Sequence, residues 1–115
     1  CYDLRFPELY RKQVMMGAKL ITIPSAFTTT TGKAHWHNLL KTRAIENGSY
    51  VLAPAQYGKN SLKRRTYGHS LIVSPWGEIL AEKKAGKGII IASLDFKKLA
   101  KIRANIPSFR TQILK

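Results

Sequence analysis

Short apolar runs rich in β-branched residues alternate along this chain with segments of helical periodicity. The runs lie at 19–24, 50–56 and 88–94, and their length and composition predict strands, of which the first and last are expected to be fully buried. Apolar positions recur at helical spacing over 7–16 and 33–47, which predicts two helices. This alternation indicates an α/β fold, in which helices cover a sheet.

Turn and cap signals mark the limits of the first elements. Pro7 suits the first turn of a helix and Gly17 suits its end, while Gly48 suits the end of the second helix. Between these helices, the Thr-rich stretch 25–32 is expected to be a loop. A basic loop is expected to follow the second strand, up to Arg65.

A hairpin and a last helix are predicted in the second half of the chain. The sequence Ser-Pro-Trp-Gly at 74–77 predicts a turn that folds 68–73 against 78–82. Asp95 is a favourable N-cap for a helix that Pro107 would end. No internal repeat or linker interrupts this order of elements.

The composition of the chain excludes several classes of protein. The chain has 115 residues, 44% of them hydrophobic and 23% charged, which suits one folded domain or half of a larger one. No apolar run approaches the roughly 18 residues that span a bilayer, and the first dozen residues are too charged for a signal peptide. Because Cys1 is the single cysteine, no internal disulfide is possible, and a reducing, cytoplasmic setting is expected.

The large positive charge leaves two interpretations open. The chain carries 20 Lys and Arg against 6 Asp and Glu, a formal net charge of +14, and such a surplus is typical of polyanion-binding proteins. However, the basic residues are spread along the chain, which favours ordinary solvated faces. A nucleic-acid or polyanion surface, if present, would involve the loop from Lys59 to Arg65, with its cluster Lys63, Arg64 and Arg65.

Cys1 is the first candidate for chemistry. It stands a few residues before the helix predicted at Pro7, and Arg5 is four residues on; helix N-termini and nearby cations both lower the pKa of a thiol. A reactive thiolate and an inert small side chain both remain open at this point. If Cys1 is a free amino terminus, its own α-amine offers a third possibility, an N-terminal-nucleophile hydrolase.

The histidines are weaker candidates. His35 and His37 are two residues apart, a spacing that directs side chains to different sides of a helix, and no cysteine or carboxylate pair completes a site with His69. No metal is therefore expected. Trp36 and Trp76 are expected to pack within the fold rather than to stack on bases.

Six blocks of the sequence resemble the nitrilase superfamily, the carbon-nitrogen hydrolases. They are CYDLRFPELYR at 1–11, IPSAFT at 23–28, HW at 35–36, RAIEN at 43–47, GHS at 68–70 and PWGE at 75–78. The blocks follow one another at the spacing of that family and cover nearly the whole chain. Several independent motifs therefore support the resemblance.

The resemblance implies an α-β-β-α sandwich and a covalent mechanism. Cys1 matches the nucleophile that forms a thioester, and the backbone N–H of Tyr2 matches an oxyanion donor. The family uses no cofactor and no metal. Its general-base Glu and its Lys precede the cysteine, and Glu8 and Glu46 match blocks with structural roles. Residues 1–115 are accordingly expected to be the C-terminal portion of a single hydrolase domain whose N-terminal half is missing, and to be inactive alone.

The resemblance also implies a class of substrate. Arg5 matches an arginine that receives a substrate carboxylate in amidases acting on α-keto acid amides, and Phe27 and Thr31 match residues that line their pocket. An ion pair of Arg5 with Asp3 or Glu8, and a plain core role for Phe27, are the structural alternatives. The blocks are most similar to the branch that hydrolyses deaminated glutathione, with the omega-amidases close behind.

Two residues depart from the family pattern, and the resemblance also implies an assembly of subunits. His37 replaces a glutamate found in many relatives, and Ser74 replaces a common aspartate, so both positions leave the exact substrate open. The helices at 7–16 and 33–47 resemble those that pair two family subunits, so the intact enzyme is expected to be a homodimer or larger oligomer. Its expected partner is a small-molecule amide, without membrane or nucleic acid.

Overall fold

The computed structural model describes residues 1–59 and 64–111. Its helices are a 3-10 helix at Tyr2–Arg5, α1 at Pro7–Met15, α2 at Thr29–Thr31, a π-helix at Gly32–Trp36, α3 at His37–Asn47, α4 at Phe96–Asn105 and a 3-10 helix at Ser108–Arg110. Its strands are β1 at Leu20–Thr22, β2 at Tyr50–Ala53, β3 at Tyr57–Lys59, β4 at Arg65–Tyr67, β5 at Ser70–Val73 and β6 at Ile79–Lys83. The α/β class is confirmed.

Four of the strands form one sheet in the order β1-β2-β5-β6. The β1–β2 pair is parallel, whereas β2–β5 and β5–β6 are antiparallel. A parallel pair needs a long crossover, and the helical segment from Thr29 to Asn47 supplies it. The β5–β6 hairpin confirms the predicted turn at 74–77, where Gly77 donates from its backbone N–H to the carbonyl of Ser74 at 2.9 Å.

The core lies between the helices and one face of this sheet. Helix α3 presents the face that its spacing predicts, with Trp36, Leu40, Ala44 and Asn47 each no more than 1% exposed. The strands contribute their alternate residues, which include Ile21, Val51, Ala53, Leu71 and Val73. Gly48 ends α3 in the left-handed conformation with φ 54°, which glycine adopts without strain.

The opposite face of the sheet is more open than the sequence suggests. The register aligns Thr22, Leu52 and Ile72 in one cross-strand row, and these residues line a cavity of about 310 Å³ with segment 88–90. Leu20 and Thr22 are exposed, so β1 is buried on one face only. The expectation of a fully buried first strand is therefore wrong.

The predicted strand at 88–94 is also wrong. The segment forms no strand, and Ile89 and Ile91 are 87% and 85% exposed. Its apolar, β-branched composition suits a strand, but a strand exists only where a neighbouring backbone pairs with its N–H and C=O groups. Among residues 1–59 and 64–111, none provides that ladder.

Two expected loops contain regular structure. The helical crossover begins at Thr29 instead of at residue 33, so the loop predicted at 25–32 is shorter. The basic loop before Arg65 contains the β3–β4 hairpin, although Lys63, with the rest of 60–63, lies outside the described residues. These elements arise from tertiary contact: the N–H of Tyr67 donates to the carbonyl of Phe27 at 2.9 Å, which local sequence does not encode.

Helix α4 is held by its cap and by one buried cation. The side chain of Asp95 accepts hydrogen bonds from two backbone N–H groups of the first turn, as predicted. The Arg103 guanidinium donates to the carbonyls of Gly48 and Ala18 at 2.9 and 2.8 Å. Burial, with the nearby charge of Arg110, lowers the pKa of Arg103.

Two further expectations concern the packing of the tryptophans and the absence of a membrane-spanning helix. Trp36 is 1% exposed and donates from Nε1 to the carbonyl of His69 at 2.8 Å, so its predicted packing role is confirmed. Trp76 is 57% exposed, so the same prediction is wrong for Trp76, whose side chain projects from a turn in which Ser74 and Pro75 are buried. Within the described residues, every helix is too short or too polar to traverse a lipid bilayer.

Candidate functional site

The sulfur of Cys1 lies at the surface beside the loop that follows β1. Cys1 is exposed and immediately precedes the 3-10 helix at Tyr2–Arg5. The backbone N–H of Ala26 donates to Sγ at 2.8 Å. A backbone donor of the loop after β1 is thus directed at this sulfur.

A small cavity of about 160 Å³ adjoins this sulfur. Its lining consists of Cys1, Tyr2, Arg5, Ala26, Phe27, Thr28, Thr31 and Arg64. The structure thus brings together all five residues that the sequence singled out for catalysis and substrate binding, although they come from two separate segments of the chain. Their chemical roles remain predictions.

The Arg5 guanidinium faces into this group of residues. Both terminal nitrogens of Arg5 donate to Nδ1 of His35 at 3.2 Å, and its charged carbon lies 5.4 Å from the centre of the Phe27 ring. Among the described residues, no ion pair joins Arg5 to Asp3 or Glu8. The structural ion pair is therefore not what holds Arg5.

Phe27 and Thr31 have structural contacts and also line the cavity beside Cys1. Phe27 is 6% exposed and its ring lies 4.9 Å from that of Trp36, so it belongs to the core while one edge lines the cavity. Thr31 shares a hydrogen bond of 2.7 Å with Thr28 through their hydroxyl oxygens. The core interpretation of Phe27 and its pocket interpretation are thus compatible.

Among residues 1–59 and 64–111, the residues that line the cavity include cations but no carboxylate and no lysine. Glu46 instead pairs with Arg43 at 3.0 Å, the partner that its helical spacing suggests. Glu8 is exposed in the first turn of α1. Within the part of the chain that the structure describes, neither glutamate is positioned to exchange protons with Cys1.

Three neighbours of Cys1 could not be identified from the sequence. Ala26 contributes only a backbone N–H, which no residue type reveals. His35 and Arg64 reach Arg5 and the cavity from other segments, and no local spacing connects them to Cys1. The sequence places Arg64 in a basic cluster with Lys63 and Arg65, but only the tertiary structure brings Arg64 to this cavity.

The three histidines lie in two different environments, and a carboxylate joins two of them. His35 and His37 do face different partners, as their spacing predicts, but His37 and His69 converge on Glu82. No local spacing connects Glu82 with these two histidines, because Glu82 lies on the separate strand β6. Burial alone would raise the pKa of Glu82, but hydrogen bonds from both histidines lower it, and the net pKa lies below its usual value.

Several curated proteins share much of this sequence. Deaminated glutathione amidase of a Synechocystis strain is 47% identical over 98% of this chain and 42% of its own length. The human protein of the same name is 46% identical over 96% of this chain and 34% of its own length. The chain therefore spans well under half of the curated relatives it matches.

Solved structures match the fold as well. The Caenorhabditis elegans NitFhit protein superposes with a TM-score of 0.89 at 43% identity, over 98% of this chain and 27% of that one. Yeast Nit3, described as a member of branch 10 of the nitrilase superfamily, gives 0.88 at 41% identity, over 93% and 40%.

A third structure shows a modified cysteine. It is an amidase mutant from Nesterenkonia, 31% identical over 93% of this chain and 40% of that one, with a TM-score of 0.72. That structure is described as showing covalent addition of the acetamide moiety of fluoroacetamide at the active-site cysteine. The model of the family described as carbon-nitrogen hydrolase matches residues 1–104, and this chain belongs to that family.

Proposed function

We propose that this chain carries the nucleophile and the carboxylate-binding residues of an amidase that hydrolyses small amides. The observation that carries the proposal is the position of the Cys1 sulfur at the edge of a cavity that Arg5, Phe27 and Thr31 also line. The covalent adduct on the cysteine of the Nesterenkonia amidase supports a nucleophilic role for Cys1.

The proposed reaction proceeds through a thioester. The Cys1 thiolate attacks the amide carbon, and the carbonyl oxygen takes up negative charge. Tyr2 begins the 3-10 helix, where a first backbone N–H has no partner within the helix and is available to that oxygen. The amine leaves with a proton, and water then hydrolyses the thioester. The groups that carry these protons are proposed to lie outside the described residues, and the 115-residue chain alone to be inactive.

The proposed substrate carries a carboxylate. Arg5 and Arg64 place two guanidinium groups at the cavity, and a guanidinium can bind a carboxylate through two parallel hydrogen bonds. Relatives named deaminated glutathione amidase support deaminated glutathione as the substrate. Omega-amides of keto acids are the alternative within the same class.

The proposed assembly is a homodimer in the cytoplasm. Leu9 on α1 and Met16, the residue that follows α1, are 40% and 80% exposed, and their separation of seven residues places them near one side of the helix. Exposed apolar residues on one helix face suit a contact with a second subunit. The single cysteine supports a reducing setting.

The proposal is tested by Cys1→Ser in the full protein, with deaminated glutathione and a keto-acid omega-amide as substrates. We expect kcat to fall by at least about 10³-fold, because the hydroxyl is a far weaker nucleophile. Mass spectrometry of the wild-type protein during turnover should detect the thioester. Activity that survives the substitution would refute the role of Cys1.

The variant Arg5→Lys tests carboxylate recognition separately from the nucleophilic role proposed for Cys1. This variant keeps the charge and loses the paired donors, so we expect kcat/KM to fall about 10- to 100-fold for carboxylate-bearing amides. An amide of the same length without the carboxylate should be unaffected. Lys12→Gln, an exposed change on α1, is the matched control. Equal losses on both amides would contradict carboxylate recognition by Arg5.

A further inference from the structure

Three side chains from separate elements converge at one point of the fold. His37 begins α3, His69 lies between β4 and β5, and Glu82 lies on β6. Nε2 of His37 and Nδ1 of His69 lie 2.9 and 2.7 Å from the same oxygen, Oε2 of Glu82. These three atoms all lie within 4.8 Å of one another.

The backbone at His69 is held in an unusual conformation. His69 has φ 59°, the only positive φ at a non-glycine residue in the described part of the chain. Trp36 donates from Nε1 to the His69 carbonyl at 2.8 Å, and the Tyr67 ring stacks on the imidazole at 4.1 Å. Strain that its surroundings maintain is typical of functional positions. Here it fixes the direction of Nδ1 toward Glu82.

The cluster is also partly open to solvent. The side chains of His37, His69 and Glu82 are 26%, 20% and 20% exposed. Two imidazoles and one carboxylate are a known ligand set for zinc, with metal–ligand bonds of about 2.0–2.2 Å. The remaining exposure leaves room for a water at a fourth position.

We propose that His37, His69 and Glu82 bind a divalent transition metal of the zinc class. The metal takes the point on which the three ligand atoms converge and replaces the two hydrogen bonds to Glu82. In the metal-bound form, each imidazole is neutral and keeps one proton on its other ring nitrogen, Nδ1 in His37 and Nε2 in His69. No electron transfer is involved.

The expected role of this metal is structural. The ligands connect the start of α3 to β6 and to the residue that precedes β5, whereas the neighbouring His35 hydrogen-bonds to Arg5. A ligand that binds the folded state alone stabilises it by mass action. Zinc should therefore raise the melting temperature without entering the cysteine chemistry.

The test measures zinc binding by equilibrium dialysis in the full protein carrying Cys1→Ser, which removes the exposed thiol as a competing ligand. We expect one Zn²⁺ per chain, a melting temperature that rises with zinc concentration, and intense visible absorption when Co²⁺ is used instead. Glu82→Gln should weaken binding at least about tenfold. The amide oxygen of this variant still accepts a hydrogen bond, so circular dichroism should show an unchanged fold.

Matched variants make the result decisive. His37→Asn should remove the site, whereas His35→Asn, two residues away, should leave zinc stoichiometry unchanged. Retention of zinc in both Glu82→Gln and His37→Asn would overturn the proposal, because the metal would then lie elsewhere. Absence of zinc binding in the parent protein would overturn it too, and would leave the cluster as a hydrogen-bonded bridge.

Discussion

Gly32 shows how a single residue can limit the packing next to the candidate site. It lies at the start of the π-helix, one residue after Thr31. A Cβ atom built on Gly32 would lie 2.5 Å from Cβ and Cγ of Tyr67. This atom would meet the base of a side chain, which cannot rotate away. The ring of Tyr67 in turn stacks on His69.

We predict that Gly32→Ala destabilises the protein by about 1–3 kcal/mol, the usual cost of overpacking. Urea unfolding of the variant and the parent protein measures the difference. Gly88→Ala is the matched control, because its Cβ would meet only the flexible end of the Lys83 side chain at 2.8 Å. Equal losses in both variants would show that loss of glycine, and not contact with Tyr67, causes the effect.

At the scale of elements, α4 depends on its first turn. Oδ1 of Asp95 accepts from the N–H groups of Lys97 and Lys98 at 2.9 and 3.1 Å. These two groups would otherwise have no partner within the helix. The helix then places Arg103 against the carbonyl oxygens of Ala18 and Gly48, so the cap acts on a tertiary contact as well as on the helix.

We expect Asp95→Ala to lower the free energy of unfolding by about 0.5–2 kcal/mol, the range for loss of an N-cap. Thermal and chemical unfolding of the variant provide the measurement. Asp95→Asn keeps the accepting oxygen and should lose only a few tenths of a kcal/mol. If the asparagine variant lost as much as the alanine variant, the charge of Asp95 and not its hydrogen bonds would be responsible.

At the scale of the whole molecule, the basic residues are partly exposed and partly buried, whereas a group of exposed apolar residues lies at α1. The net charge of +14 is carried largely by exposed lysines, whereas Arg43 and Arg103 are buried and bonded to backbone carbonyls. Part of the basic surplus is therefore structural. Exposed apolar residues are found on α1, where Leu9 and Met16 form the face proposed to contact a second subunit.

We predict that Met16→Glu raises the dissociation constant of the proposed dimer by about tenfold or more, because burying an unpaired charge costs over about 1.4 kcal/mol. Analytical ultracentrifugation of the full protein measures it. Ala100→Glu adds the same charge at an exposed position on α4 and should leave the constant unchanged. A protein that is monomeric before any substitution would contradict the proposed assembly.

The sequence by itself determined the elements that rest on local chemistry. Side-chain periodicity and backbone preferences act over a few residues. They account for both long helices, the Asp95 cap, the Gly48 end of α3 and the turn at 74–77. The motifs at 1–11 and 23–28 likewise indicated Cys1, Arg5 and Phe27, which meet at the Cys1 cavity, because the family resemblance carries long-range information that spacing alone lacks.

Only the tertiary structure decided the features that depend on distant partners. The segment 88–94 has the composition of a strand but no adjacent backbone to pair with, and Thr29 joins a helix because the chain there packs against β4. Glu82 meets His37 and His69 because register places β6 beside β5. Hydrogen-bond ladders and converging side chains are properties of the assembled fold, so no local pattern encodes them.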